Sequence, residues 1–116
     1  MTAVTIYHNP RCSKSRQALQ LLRERGLEPT VVEYLKHPPD ERQLKRLLKM
    51  LGMTPRELMR NKEAEYRALA LDKPALSAAA LIKAMTEHPV LIERPIVVAD
   101  GKAVVGRPPE KVLDIL

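Results

Sequence analysis

Only one cysteine, Cys12, stands in the 116 residues, and there is no tryptophan and no phenylalanine. A lone cysteine excludes an intramolecular disulfide, a cysteine-rich zinc module and a dithiol C-x-x-C couple. With only Tyr7, Tyr34 and Tyr66 as stacking surfaces, nucleic-acid binding on an aromatic platform is not expected. Long apolar runs are missing too, so no membrane span is predicted. Met1 to Pro10 show no basic segment followed by an apolar one, and the expectation is a cytoplasmic protein without a secretory signal.

What is present is a hydrophobic fraction of 45%, too high for a disordered chain, at a length that predicts one domain, 1–116. The chain is expected to be a monomer. Twenty Lys and Arg against fourteen Asp and Glu give a net charge of +6, a balance suited to attracting oxyanions. Much of that charge, as at Arg42, Lys45, Arg46 and Lys49, falls in mixed runs that mark the solvated face of a helix.

Val4-Thr5-Ile6-Tyr7 predicts a strand broken by Asn9-Pro10. Ala18, Leu19, Leu21 and Leu22 recur at helical spacing between Ser13 and Arg25, with Gly26 as the stop, and Thr30 to Tyr34 predicts a second strand. The short crossover makes these two strands parallel. A helical block follows. Asp40 and Gln43 form a capping-box pattern before Leu44, Leu47, Leu48 and Leu51, and Thr54-Pro55-Arg56-Glu57 is a second start signal. A short helix is expected around Lys62 to Leu69, and another from Ser77 to His88. Ile96 to Ala99 and Ala103 to Val105 flank an Asp100-Gly101-Lys102 turn, and Glu110 to Leu116 predicts a last helix with Val112, Leu113 and Leu116 on one face. The pattern is α/β, with a mixed sheet flanked by helices and an inserted helical block.

Cys12 falls between a strand end and a helix start, where unpaired N–H groups and the positive helix end favour a thiolate. Arg11, Lys14, Arg16 and His8 add positive charge, and the polar surroundings speak against an inert core cysteine. Ser15, at the fourth position of a C-x-x-S arrangement, offers a hydroxyl to the thiolate but no resolving thiol, so a redox cycle must take its second thiol from another molecule. Arg94 and Arg107 each precede Pro, which keeps the Arg out of the helical region, and Arg94-Pro95 is a candidate cis bond. Arginine suits bidentate capture of a tetrahedral oxyanion. Arg60 by itself reads as a solvated side chain. His37 and His88, each before Pro, read as loop residues, and no set of three ligands predicts a metal site.

The stretch His8-Asn9-Pro10-Arg11-Cys12-Ser13-Lys14-Ser15-Arg16 resembles the active-site loop of the glutaredoxin-linked arsenate reductase family, ArsC. Tyr34-Leu35-Lys36, Leu58-Met59-Arg60, His88-Pro89, Arg94-Pro95-Ile96-Val97-Val98 and Gly106-Arg107-Pro108 follow in the family's order. The chain is most similar to the short YfgD-type branch. The resemblance implies a thioredoxin-like fold with a helical insertion, Cys12 as nucleophile and His8 as a residue supporting its activation. It also implies an oxyanion group of Arg60, Arg94 and Arg107, while Ser15 and Arg16 are expected to support the thiolate. The implied substrate is arsenate or a similar oxyanion, with glutathione as co-substrate, glutaredoxin as partner and no tightly bound cofactor.

Ser13-Lys14 stand where the family's best-studied members carry Gly-Thr, placing a bulky cation beside the anion site. Two other readings follow. One is a glutathione-dependent reductase of other small molecules or mixed disulfides. The other is a non-catalytic binding protein resembling the Spx-type regulators, in which a second cysteine stands where this chain has Ser15.

Overall fold

A run of β-branched residues makes the first element, β1 (Val4–Tyr7), whose alternate side chains are buried. In this computed structural model, which describes residues 3–116, α1 (Ser13–Glu24) follows, then β2 (Thr30–Val32), parallel to β1 with Ile6 opposite Val31. Met1 and Thr2 of the predicted domain lie outside the described residues. Strand β2 ends two residues short of the expected Tyr34, because the carbonyl of Glu33 takes the N–H groups of Lys36 and His37 in a turn.

The chain returns to the sheet through β3 (Ile96–Ala99) and β4 (Lys102–Val105), giving the mixed order β2-β1-β3-β4 with β3 antiparallel to both neighbours. Asp100 and Gly101 both adopt positive φ, 51° and 75°. Two left-handed residues in succession are what a two-residue hairpin requires, so pairing begins at Lys102 rather than Ala103. Val4, Ile6, Val97 and Ala99 from the sheet meet Ala18 and Leu22 of α1 and Val112 of the tail in one buried cluster. Each Val, Ile or Leu side chain closed off in this way contributes about 1.5–3 kcal/mol.

The tail is a 3-10 helix, Pro109–Ile115, rather than the expected α-helix. Its buried residues are Pro109 and Val112, three apart, with Ile115 partly buried in the next register position. Such a period of three suits 3-10 geometry, and it leaves Leu116 exposed instead of on the buried face.

The chain divides into two compact units, one of residues up to His37 with Arg94–Leu116, the other Pro38–Glu93. The second holds α2 (Glu41–Leu51), α3 (Pro55–Leu58), α4 (Ala64–Ala68), α5 (Ala78–Glu87) and a 3-10 turn, Pro89–Leu91. Both expected capping boxes form: Asp40 and Gln43 exchange bonds at the start of α2, Thr54 and Glu57 at the start of α3. Leu44, Leu47 and Leu48 of α2 and Leu81, Ile82 and Met85 of α5 are buried. A short antiparallel bridge joins Met59 to Ile92, flanked by bonds from Arg60 N–H to the Leu91 carbonyl and from Glu93 N–H to the Leu58 carbonyl.

Candidate active site

The loop between β1 and α1 is held at almost every residue. His8 still pairs with β2 through its N–H to the Val32 carbonyl, 2.8 Å. Asn9, buried, then organises the turn: its side-chain oxygen accepts the Arg11 N–H at 3.0 Å and its carbonyl accepts the Cys12 N–H at 3.0 Å. Cys12 is the N-cap of α1, in extended conformation, and its carbonyl receives the first helical N–H, that of Arg16. Its thiol is partly buried.

The sulfur takes the place that a capping side chain would fill. Burial opposes its ionisation. The backbone N–H of Ser15, the Arg94 guanidinium as donor and as charge, and the backbone N–H of Lys14 outweigh that cost and hold the thiol below its ordinary pKa. Arg107 adds a second guanidinium, with Nη2 4.0 Å from the sulfur and Nε donating to the Arg94 carbonyl at 3.0 Å. Both Arg94-Pro95 and Arg107-Pro108 peptide bonds are cis. Nε and Nη1 of Arg94 are shut away from solvent, so its charge acts on the sulfur through little screening water.

Ser15 has no exposed surface, and its hydroxyl is committed elsewhere than to sulfur. Its Oγ accepts the Asn9 N–H at 3.0 Å and lies 2.6 Å from His8 Nδ1. With the imidazole neutral, the consistent arrangement has Oγ–H donating to Nδ1 and the ring proton on Nε2. Burial pushes the His8 pKa down, Glu33 opposes this, and Arg23 and Arg16 reinforce it. So Ser15 reaches the thiol through its main-chain N–H and holds the loop through its side chain.

Arg16 is exposed, with Nη1 donating to the Pro10 carbonyl at 3.0 Å. Arg60 lies in the second unit, where the Met59–Ile92 bridge brings Glu93 beside it. Its Nε donates to Glu63 at 2.9 Å and its Nη1 to Glu93. Burial lowers its pKa, and the two carboxylates more than reverse that. It is a doubly paired side chain rather than a solvated one. The roles of Asn9, Glu63 and Glu93 do not show in the sequence pattern. Asn-Pro signalled a turn but not the Asx bond within it, and only the i,i+3 spacing of Arg60 and Glu63 hinted at a pair. No group of three or more His, Cys, Asp or Glu among the described residues is arranged to hold a metal ion. No helix among them is long and apolar enough to cross a membrane.

A lone cysteine at the head of the first helix, beside a sheet of order 2-1-3-4 with arginines preceding its third and following its fourth strand, defines a thioredoxin-like α/β protein with a thiol at its candidate site. The family model described as "ArsC family" matches residues 7–115, and the chain belongs to that family. It is 60% identical over 114 residues to the YfgD protein of Escherichia coli strain K12, covering 97% of this chain and 96% of that one. It is 51% identical over 117 residues to an arsenate reductase of Neisseria meningitidis serogroup A, with both chains covered in full. Among solved structures, the arsenate reductase from Vibrio cholerae matches with a TM-score of 0.97 at 53% identity, covering 99% of this chain and 98% of that one.

Proposed function

We propose that the chain is an arsenate reductase, in which Cys12 attacks arsenate or a like tetrahedral oxyanion and external thiols return the enzyme. The observation that carries this reading is the sulfur of Cys12, held below its ordinary pKa with the guanidinium groups of Arg94 and Arg107 upon it. A thiolate attracts no anion by itself. Two cations beside it offset the repulsion, and both remain to stabilise the charge that gathers on the oxyanion during attack.

The electron balance sets the rest. Attack by the Cys12 thiolate on arsenic expels an oxygen as water and forms a sulfur–arsenic(V) bond. A glutathione thiolate then attacks the Cys12 sulfur, and the sulfur–arsenic bond breaks with its electron pair passing to arsenic, which leaves as arsenite. Cys12 is left in a mixed disulfide with glutathione. A second thiol, that of glutaredoxin, takes the glutathione and frees Cys12. In sum two thiols become one disulfide, arsenic falls from +5 to +3, and one water is released. The reducing equivalents come from the co-substrates, so no tightly bound cofactor is proposed. His8, its pKa lowered by burial and its Nδ1 fixed by Ser15, is proposed to support Cys12 by holding the loop that carries it. Arg60 is proposed as a third oxyanion ligand on the family resemblance alone. We further propose a cytoplasmic monomer.

A coupled assay with glutathione, glutaredoxin and NADPH tests the reading. Arsenate-dependent reductant consumption that vanishes in Cys12→Ser is the expected result. Turnover of a glutathionylated substrate with none of arsenate would move the assignment to a mixed-disulfide reductase. Recovery of RNA polymerase by a protein inactive in both assays would move it to a binding protein.

A further inference from the structure

Arg60 donates through Nε to Glu63 at 2.9 Å and through Nη1 to Glu93, while its Nη2 bonds nothing among the described residues. A guanidinium captures an oxyanion best along an edge where two N–H groups run parallel, Nε with Nη2 or Nη1 with Nη2. Each of those edges of Arg60 is therefore half taken by a carboxylate. We infer that Glu63 is a displaceable stand-in for the oxyanion, whose carboxylate must leave Nε before Arg60 can hold a tetrahedral dianion along the Nε–Nη2 edge. The inference rests on the proposed place of Arg60 among the oxyanion ligands and deepens it, by naming the residue that governs when that place is open.

The two carboxylates differ in how firmly the chain holds them. Glu93 lies beside the Met59–Ile92 bridge, with its main-chain N–H on the Leu58 carbonyl at 3.0 Å. Glu63 directly precedes α4, a helix of five residues with none of them buried, and its side chain is partly exposed. Water is at hand to take its charge on release. The stretch that follows need not move with it. Arg56 holds that stretch by itself, donating to the Tyr66 hydroxyl at 3.1 Å and to the Leu71 and Lys73 carbonyls at 2.9 Å. The exchange is a swing of one side chain.

A carboxylate three residues away competes as an internal ligand, at an effective concentration of about millimolar or above. It lowers the apparent affinity of Arg60 for every anion by one common factor, set by the fraction of time the edge stands open. Weakly held monoanions drop out of the useful range. A doubly charged tetrahedral anion, which fills both N–H groups of the edge and brings twice the charge, stays within it. Glu63 thus acts through Arg60, as a threshold on binding strength.

The probe is inorganic sulfate, a tetrahedral dianion, with formate as the monoanion, both titrated at constant ionic strength. Binding is read on the Nε–Hε resonance of Arg60. Glu63→Gln is expected to tighten both ions about three- to five-fold, and by the same factor. Simple repulsion would weigh twice on the doubly charged ion, so a sulfate gain that is the square of the formate gain overturns the inference. So does a sulfate affinity that Glu63→Gln leaves unchanged, or an Arg60 resonance that answers neither ion in the variant. In the coupled assay, the KM for arsenate should fall by the same factor while kcat moves little. A protein that shows the common gain but never reduces arsenate sinks the reductase reading and leaves the exchange at Arg60 standing. Arsenate turnover with an unmoved KM takes Arg60 out of the reaction, and the inference falls with it.

Discussion

Arg107 donates through Nε to the main-chain carbonyl of Arg94 at 3.0 Å, so the two arginines are joined before either meets a ligand. The bond ties Arg107, whose Nη2 stands 4.0 Å from the Cys12 sulfur, to the residue whose guanidinium also acts on that sulfur. Neither needs to be drawn in from solvent when an anion arrives. That is the sense in which the site is organised in advance.

The ionisation of Cys12 should report on Arg94 directly. Alkylation rates followed against pH are expected to show a midpoint below that of a free thiol, and Arg94→Gln should move it upward. Stability carries the same sign. Between the lowered native pKa and the ordinary value, the unfolded chain binds more protons than the folded one, so stability rises with pH across that window and is lost as pH falls through the native pKa. Cys12→Ser should abolish that slope. A wild-type midpoint at the free-thiol value would leave the cationic surroundings without effect.

Removing the Ser15 hydroxyl should cost stability more than its size implies. Ser15→Ala leaves the Asn9 N–H buried without its acceptor and His8 Nδ1 without its donor, a loss of about 1–3 kcal/mol. Thermal unfolding measures it. Because the main-chain N–H of Ser15 remains beside the sulfur, the Cys12 midpoint is expected to move less than in Arg94→Gln. A larger shift would show that the hydroxyl acts on the thiol itself.

Local chemistry was legible and distant contacts were not. Val4 to Tyr7, the two capping boxes and Asp100-Gly101 each carry their own conformational reason, and each formed, the hairpin with Lys102 in the strand rather than in the turn. Cys12 at the head of a helix likewise follows from the Asn9-Pro10 break before it. By contrast, the pairing of Arg60 with Glu93 depends on a bridge between segments 33 residues apart, which no window of sequence displays. The hydroxyl of Ser15 had several partners open to it, and only the folded loop chose His8 and Asn9. Competition between α and 3-10 geometry in the tail was settled by packing of Pro109 and Val112, not by spacing alone.

Gly106 gives a steric test of how Arg107 is placed. A Cβ there would stand 2.9 Å from Pro95 Cγ and 3.1 Å from Val112 Cγ1, with the Pro95 ring wholly buried. Gly106→Ala must push one of them aside, at a cost of about 1–3 kcal/mol. Since Gly106 N–H also bonds the Pro95 carbonyl, the displacement passes to both arginines' loops. We expect a lower unfolding temperature together with slower alkylation of Cys12 at neutral pH. An unaffected protein would mean that the contact relaxes freely.

Arg60 bonds two carboxylates, and removing it should cost the fold both pairs. The three side chains are 22%, 25% and 29% exposed, enough burial for the charges to be only partly screened. Arg60→Gln removes the cation bonded to both Glu63 and Glu93, a destabilisation of about 1–2 kcal/mol that added salt should reduce. Glu93→Gln in the same chain should recover part of the loss, since one of the two carboxylates that Arg60 bonds is then uncharged. Denaturant unfolding of the two singles and the double closes the cycle. If the double variant is as unstable as the sum of the singles, the Arg60–Glu93 pair contributes nothing, and packing rather than charge holds that arginine in place.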